Sequence, residues 1–218
     1  MDFMKWLNSL DELLYEVMSW LVFYPLTLWR TAFRPLSMMD YADQQLMLPE
    51  DEQYAEAISP PLFLALTLAL AHGIGEALGE TDKIVASHHG LAGLVSDDSS
   101  ALLLRLLVFA IFPLVMAMRL VRGRKLPLNR SSLRMPFYAQ CYPAALFALG
   151  LSAGTAIATS GWQSGGPAGL AIVSAALIYY IVVEARWFKA RRAIGTIWAL
   201  ASTVRGLVEG LAAQSPEA

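Results

Sequence analysis

Four long apolar segments with few charges limit what this chain can fold into more than any other feature of its sequence. They cover residues 61–78, 101–120, 137–159 and 167–183. A helix needs about 20 predominantly apolar residues to cross the ~30 Å hydrocarbon core of a bilayer, because each residue advances it by about 1.5 Å. We therefore predict an all-α integral membrane protein in which these segments form a bundle of transmembrane helices.

A fifth apolar segment, residues 193–213, leaves the number of spans at four or five. Arg205 and Glu209 interrupt this segment, but their i, i+4 spacing lets them pair on one helix face. If the segment spans, residues 214–218 form a short tail outside the membrane. If it lies flat on the membrane, the tail stays inside.

The composition agrees with a chain solvated mainly by lipid. Hydrophobic residues make up 56% of the sequence and charged residues 16%, against about 45–50% and about 25% in soluble domains. A net charge of -2 provides no concentrated basic face, so we expect no nucleic-acid partner. We find no catalytic or nucleotide-binding signature, and we therefore expect neither enzymatic activity nor a cofactor.

Residues 1–33 have the periodicity of an amphipathic helix. The apolar face comprises Phe3, Trp6, Leu7, Leu10, Leu13, Leu14, Val17, Met18 and Leu21. Charges recur every few residues, which excludes a secretory signal peptide. We expect this helix to lie in the membrane interface with its aromatic rings between lipid tails and headgroups. Packing of the helix against its own bundle remains the alternative.

Residues 34–59 are polar and acidic, and we predict a cytoplasmic linker that faces solvent. Its carboxylates are Asp40, Asp43, Glu50, Asp51, Glu52 and Glu56. They lack the ligand spacing and the turn glycine of a calcium loop, so a solvated acidic face is favoured over a cation site.

The charges of the loops predict the orientation of the bundle. The loop between the second and third spans carries Arg119, Arg122, Arg124, Lys125, Arg130 and Arg134, and the segment after the fourth span carries Arg186, Lys189, Arg191 and Arg192. Short loops rich in Lys and Arg stay in the cytoplasm, so the N-terminus is also cytoplasmic. The first six cations are also typical of a surface for anionic lipid headgroups or an acidic partner. We expect the acidic linker to pair with them.

Few ionisable residues lie within the predicted spans. His72 and Glu76 are one helical turn apart on the first span, and His88 and His89 follow in the outer loop. Three imidazoles suit zinc or copper, but no HExxH or CxxC motif accompanies them, and a hydrogen-bonded His72 is favoured over a metal ligand or a proton relay. Glu184 precedes the cationic end of the fourth span, and we expect it at the interface.

The third span contains a GxxxG motif at Gly150 and Gly154. Small residues at this spacing let two helix backbones approach closely where the hydrophobic effect does not drive association. The motif predicts a packing surface, used either within the bundle or in a dimer.

The amphipathic N-terminal segment, the polar linker that ends in SPPLFL at residues 59–64 and the four or five close-spaced spans resemble the Yip family and related bacterial permease-like proteins. That resemblance implies a five-span bundle without enzymatic activity that acts through partners or on membrane organisation. High Ala and Gly content and the lack of eukaryotic sorting signals favour a bacterial inner membrane.

We therefore expect a non-catalytic scaffold, assembly or accessory subunit that contacts the lipid bilayer and other membrane proteins or itself. One alternative is a small-solute permease or channel with a path lined by His72, Glu76, Arg205 and Glu209. A second alternative is a metal-dependent membrane enzyme that uses His72, His88 and His89.

Overall fold

The structure of the chain is a computed structural model that describes residues 2–77 and 98–192. Over these residues the chain is helical and has no strand, as the sequence predicts. The helices are α1 (Asp2–Phe33), α2 (Pro35–Gln45), α3 (Pro60–Ala77), α4 (Asp98–Gly123), α5 (Arg130–Thr159) and α6 (Gly165–Arg192), and a 3-10 helix covers Glu50–Glu52. The predicted fifth span and the tail lie outside the described residues.

Three of the described helices are long and apolar enough to cross a membrane. They are Leu102–Gly123 of α4, Arg130–Thr159 of α5 and Gly165–Arg191 of α6. The most apolar windows of these helices are only 35%, 50% and 28% buried within the bundle. Helix α3, at the position of the predicted first span, has 18 residues and is not among the three. Much of the apolar surface of the long helices therefore faces outward.

Helix α5 lies at the centre of the bundle, where it packs against α2, α3, α4 and α6. Short connections join α4 to α5 and α5 to α6, and such connections place successive helices side by side in opposite directions. The ends of α4 and α6 accordingly meet, because Nη2 of Arg124 donates a hydrogen bond of 3.4 Å to the carbonyl oxygen of Arg191. The two cation-rich segments of the sequence thus lie at the same end of the bundle.

The predicted GxxxG surface of α5 faces α6. A Cβ added to Gly150 would lie 2.5 Å from the Cβ of Ala176, and one added to Gly154 would lie 2.6 Å from Cγ2 of Val173 and 2.9 Å from the carbonyl oxygen of Gly169. These separations are shorter than real Cβ contacts, so the two backbones can approach this closely only with glycine at both positions. The motif therefore forms a seam within the chain.

Helix α5 begins at Arg130, earlier than the predicted start at residue 137. A reciprocal capping box defines its first turn: Oδ1 of Asn129 accepts the Ser132 amide at 2.8 Å, and Oγ of Ser132 accepts the Asn129 amide at 3.2 Å. Pro136 and Pro143 lie inside the helix, and each removes one intrahelical hydrogen bond. As a consequence, Arg130 and Arg134 lie on a helix and not in a loop.

The segment predicted as a solvent-facing linker, residues 34–59, differs in the structure over its first half. There it forms α2, which buries Met38, Met39, Ala42 and Asp43 and packs against α1, α5 and α6. Proline is favoured at the first helical position, which Pro35 occupies. The apolar residues recur at helical spacing and cover the end of the bundle.

The second half of the N-terminal helix α1 packs on the bundle, while its expected position in the membrane interface stays a prediction. In the second half Thr27 and Thr31 are buried, and the hydroxyl of Tyr24 donates to Oγ1 of Thr67 at 3.1 Å. In the first half the large apolar side chains Leu13 and Leu14 are exposed. The C-terminal half of α1 therefore packs on the bundle, while the N-terminal half offers an unburied apolar face.

We expect Gly154→Ala to destabilise the protein by about 1–3 kcal/mol, because the added methyl group meets the α6 backbone in a close-packed seam. The measurement is the melting temperature in mild detergent. Gly73→Ala is the matched control, because an added Cβ there meets no atom of the described chain within 4 Å. It should stabilise helix α3 by up to about 1 kcal/mol. Equal melting temperatures for the two variants would contradict the seam.

Candidate functional site

A carboxyl group is buried in the core between α5 and α6. Glu184 of α6 and Gln140 of α5 are both fully buried. Tyr180, one helical turn before Glu184, is fully buried as well, and Trp187 lies buried one turn after it. We call Gln140, Tyr180, Glu184 and Trp187 the buried polar cluster. Helices α5 and α6 thus place these four polar side chains inside the bundle.

The buried polar cluster is poorly hydrogen-bonded. The Gln140 side chain interacts with the Glu184 carboxyl. The charge of the same carboxyl also acts on the Tyr180 hydroxyl. However, the polar side-chain atoms of all four residues lack a hydrogen-bond partner of regular geometry among the residues that the structure describes. Leaving one such group unsatisfied costs about 1–3 kcal/mol. An ionisable residue kept at that cost inside an apolar helix bundle is a candidate for function.

The structure buries Glu184 inside the bundle, whereas its expected depth at the membrane interface stays a prediction. Tyr180, Glu184 and Phe188 are all fully buried and recur at i, i+4 and i+8, so they occupy one face of α6. The cations that follow Glu184 in the sequence suggested that it lies at the membrane interface. The periodic aromatic residues on either side of Glu184 are the signal that could have revealed its burial.

A group of charges connects the ends of α2 and α6. Nη2 of Arg191 lies 2.6 Å from Oδ1 of Asp40 and 2.7 Å from Oδ2 of Asp43. The Arg191 guanidinium carbon also lies 4.2 Å from the centroid of the Trp187 ring, a distance typical of a cation–π contact. We call Asp40, Asp43 and Arg191 the charged clasp. Because Trp187 belongs to the buried polar cluster, the clasp and the cluster are in direct contact.

The charged clasp agrees in part with the predicted pairing of the acidic segment and the basic loop. The acidic partners are the predicted Asp40 and Asp43, but the cation that bonds them is Arg191, from the segment after the fourth span. Arg124 of the predicted basic loop supports the clasp from α4 through its hydrogen bond to the Arg191 carbonyl oxygen. Three helices therefore meet at these charges.

Burial raises the pKa of Asp43 above its ordinary value. The positive charge of Arg191 opposes this effect most strongly, the neighbouring Asp40 carboxylate adds to it, and the more distant Arg124 opposes it. The desolvation of the carboxylate exceeds the attraction of the two cations. The folded clasp therefore binds a proton more readily than the unfolded chain does.

His72 is buried, and its Nε2 lies 3.5 Å from Oε1 of Glu76, as their one-turn spacing suggests. The other residues of the predicted path and metal set, His88, His89, Arg205 and Glu209, lie outside the described residues. Within residues 2–77 and 98–192, no group of three or more His, Cys, Asp or Glu side chains could hold a metal ion.

The six predicted lipid-binding cations lie at the end of α4, in the connection that follows it and at the start of α5. Arg119 and Arg122 lie near the end of α4, Arg124 and Lys125 follow it, and Arg130 and Arg134 lie in the first turns of α5. Arg119 is half-buried, whereas the other five are exposed. The exposed cations therefore surround the short connection from α4 to α5.

No protein-family model, curated protein or solved structure matches this chain. The resemblance to the Yip family stays a prediction that depends on the layout of the chain and the motif at residues 59–64.

We expect Arg191→Gln to destabilise the protein at neutral pH by about 1–3 kcal/mol, because it leaves the buried Asp43 carboxylate without its nearest cation. The pKa of Asp43 should rise further. The pH interval in which the folded state binds more protons than the unfolded state then widens. The free energy of unfolding should therefore fall as pH rises from about 4 toward the raised pKa of Asp43. Melting temperatures between pH 4 and 8 in mild detergent measure this effect.

Two variants serve as controls for the clasp. Asp40→Asn removes the partner whose side chain is 54% exposed, and it should cost less than about 1 kcal/mol. Asp43→Asn combined with Arg191→Gln should abolish the added pH dependence, because no buried carboxylate remains at this position. The clasp is contradicted if Arg191→Gln has the same pH profile as the unmodified chain.

Proposed function

We propose that this chain is a multi-pass helical membrane protein that acts as a non-catalytic scaffold, assembly or accessory subunit. The observation that supports the proposal most directly is the apolar surface that the bundle leaves uncovered. Leu103 and Leu107 on α4 are 67% and 63% exposed, and Leu170 and Ile178 on α6 are 67% and 62% exposed. Exposed apolar patches on this scale are typical of contact with lipid or with other proteins.

The outward face of α6 is suited to contact with another helix. Between the exposed Leu170 and Ile178, the same face presents the small exposed residues Ala171, Ser174 and Ala175. In a bilayer, helix association depends on close backbone approach and van der Waals contact, and small residues permit both. A face that alternates small and large apolar side chains therefore favours a partner helix over lipid alone.

The proposed orientation places the charged clasp in the cytoplasm. The ends of α4 and α6 lie together, and Arg122, Arg124, Lys125, Lys189 and Arg191 gather there. A cationic end of this kind stays on the cytoplasmic side during insertion. We further propose a bacterial inner membrane as the location, on the basis of composition.

We expect a photoreactive amino acid at Ile178 to cross-link the full chain in native membranes to a protein of discrete mass, because that position faces the proposed partner helix. Thr155 is the matched control, since it is also exposed but lies on α5. The adducts are identified by mass spectrometry after purification in detergent. Adducts with lipid alone at both positions would contradict a partner on α6.

The buried polar cluster favours a second candidate function, a small-solute permease. Its carboxyl, amide, hydroxyl and indole groups lie deep in the bundle, where polar side chains mark solute or proton paths in transport proteins. In this alternative Glu184 takes part in the path, alone or with the predicted His72, Glu76, Arg205 and Glu209. The two candidates differ in whether the purified chain moves a solute.

We expect proteoliposomes of the full chain to show no solute or proton flux above that of empty liposomes, because an accessory subunit forms no path of its own. If flux is observed and Glu184→Gln abolishes it, the permease replaces the accessory proposal. Lys189→Gln on the same helix is the control, since Lys189 is exposed and its replacement should leave any flux unchanged.

A further inference from the structure

A large groove runs along the outside of the bundle between α4 and α5. Its volume is about 1190 Å³, above the range of about 300–1000 Å³ that is usual for sites of drug-sized ligands. The walls are largely apolar, with Leu107, Ala110 and Leu114 from α4 and Leu133 and Phe137 from α5. A ligand that fills this groove must therefore be long and apolar over most of its length.

Two cations line the same groove. Arg130 and Arg134 lie one turn apart on α5 and are both exposed. In the part of the chain that the structure describes, neither forms an ion pair with a carboxylate. The Arg134 guanidinium carbon lies 5.7 Å from the ring centroid of Tyr138, another lining residue. The groove therefore carries positive charge that no described side chain neutralises.

The start of α5 adds to this positive charge. Asn129 and Ser131 also line the groove, and Asn129 caps the helix by accepting the Ser132 amide. The first backbone N–H groups of a helix have no intrahelical partner, and they form the positive end of its dipole. An anionic group beside Arg130 would thus interact with both guanidinium groups and with the helix terminus.

The cations of the charged clasp differ from those of the groove. Arg191 is bonded to Asp40 and Asp43, and Arg124 donates to the Arg191 carbonyl oxygen. Both therefore have partners within the chain. By contrast, Arg130 and Arg134 border an apolar groove at the cation-rich end of α4 and α5 and remain available to an external anion.

We propose that the groove binds an anionic phospholipid of the bilayer, with the phosphate at Arg130 and Arg134 and an acyl chain along α4. A free phosphate would leave the apolar wall uncovered, and a zwitterionic lipid would present its own cation to the two arginines. The inference rests on the proposed membrane location of the chain but not on its accessory role.

The test uses the full chain in mild detergent with equimolar phosphatidylglycerol and phosphatidylcholine, and native mass spectrometry counts the bound lipids. We expect a preference for phosphatidylglycerol of roughly 25-fold, from roughly fivefold for each of the two cations. Arg130→Gln combined with Arg134→Gln should abolish this preference. Arg122→Gln combined with Lys125→Gln removes the same charge outside the groove and should preserve it.

A second variant tests the apolar part of the groove. Ala110→Trp fills the groove without changing its charge, and it should reduce the number of bound lipids of both kinds. Millimolar glycerol 3-phosphate should not displace phosphatidylglycerol, because it has no acyl chain. Displacement by glycerol 3-phosphate would instead indicate a site for a soluble phosphate and overturn the proposal.

Three other results would overturn the lipid site. If the Arg122, Lys125 variant lost the preference for phosphatidylglycerol equally, general surface charge and not the groove would explain that preference. Unchanged lipid binding in Ala110→Trp would place the lipid elsewhere, and dissociation of a dimer by Ala110→Trp would indicate a second copy in the groove. A chain that stays monodisperse in buffer without detergent would instead contradict the proposed membrane location, so the two failures are distinguishable.

Discussion

The close approach of α5 and α6 is the interaction on which the rest of the structure depends. Gly150 and Gly154 bring the α5 backbone against Val173 and Ala176 of α6. Under the proposed membrane location, contact at this range and not the hydrophobic effect supplies the attraction between these apolar helices. The same two helices, followed toward the cation-rich end, bring Gln140 and Glu184 together. The position of the buried polar cluster is therefore a consequence of the seam.

The cluster and the clasp have opposite effects on the free energy of folding. Burying Glu184 and Gln140 without regular hydrogen bonds is unfavourable, whereas the seam, the aromatic core around Tyr142 and Phe147 and the contacts of Arg191 are favourable. Trp187 lies one helical turn after Glu184, and its ring is 4.2 Å from the Arg191 guanidinium carbon. The clasp and the buried carboxyl are therefore close along the same helix.

Length and periodicity predicted the main helices, because runs of about 20 apolar residues have few alternatives to the α-helix. The packing role of Gly150 and Gly154 also follows from their spacing. Helix α2 was missed because its acidic residues obscured a short stripe of Met39 and Ala42. The early start of α5 was missed because Arg130 and Arg134 were assigned to a loop, although Asn129 and Ser132 form a recognisable cap.

The candidate site was harder to predict from the sequence than the fold. Whether Glu184 faces the core or the outside of the bundle depends on the rotation of α6, which tertiary packing determines and composition does not. Similarly, the choice of Arg191 as the partner of Asp40 and Asp43 depends on which helix ends meet. The groove depends on the packing of α5 beside α4, which brings Arg130 and Arg134 next to the apolar wall of α4.

The two prolines of α5 have a mechanical consequence for the polar cluster. Pro136 and Pro143 flank Gln140, and neither can donate to the carbonyl four residues before it. The backbone around Gln140 thus lacks two intrahelical hydrogen bonds within about two turns. Bending there breaks fewer bonds than elsewhere in the helix, so α5 has a built-in point of low stiffness at the residue that faces the buried carboxyl.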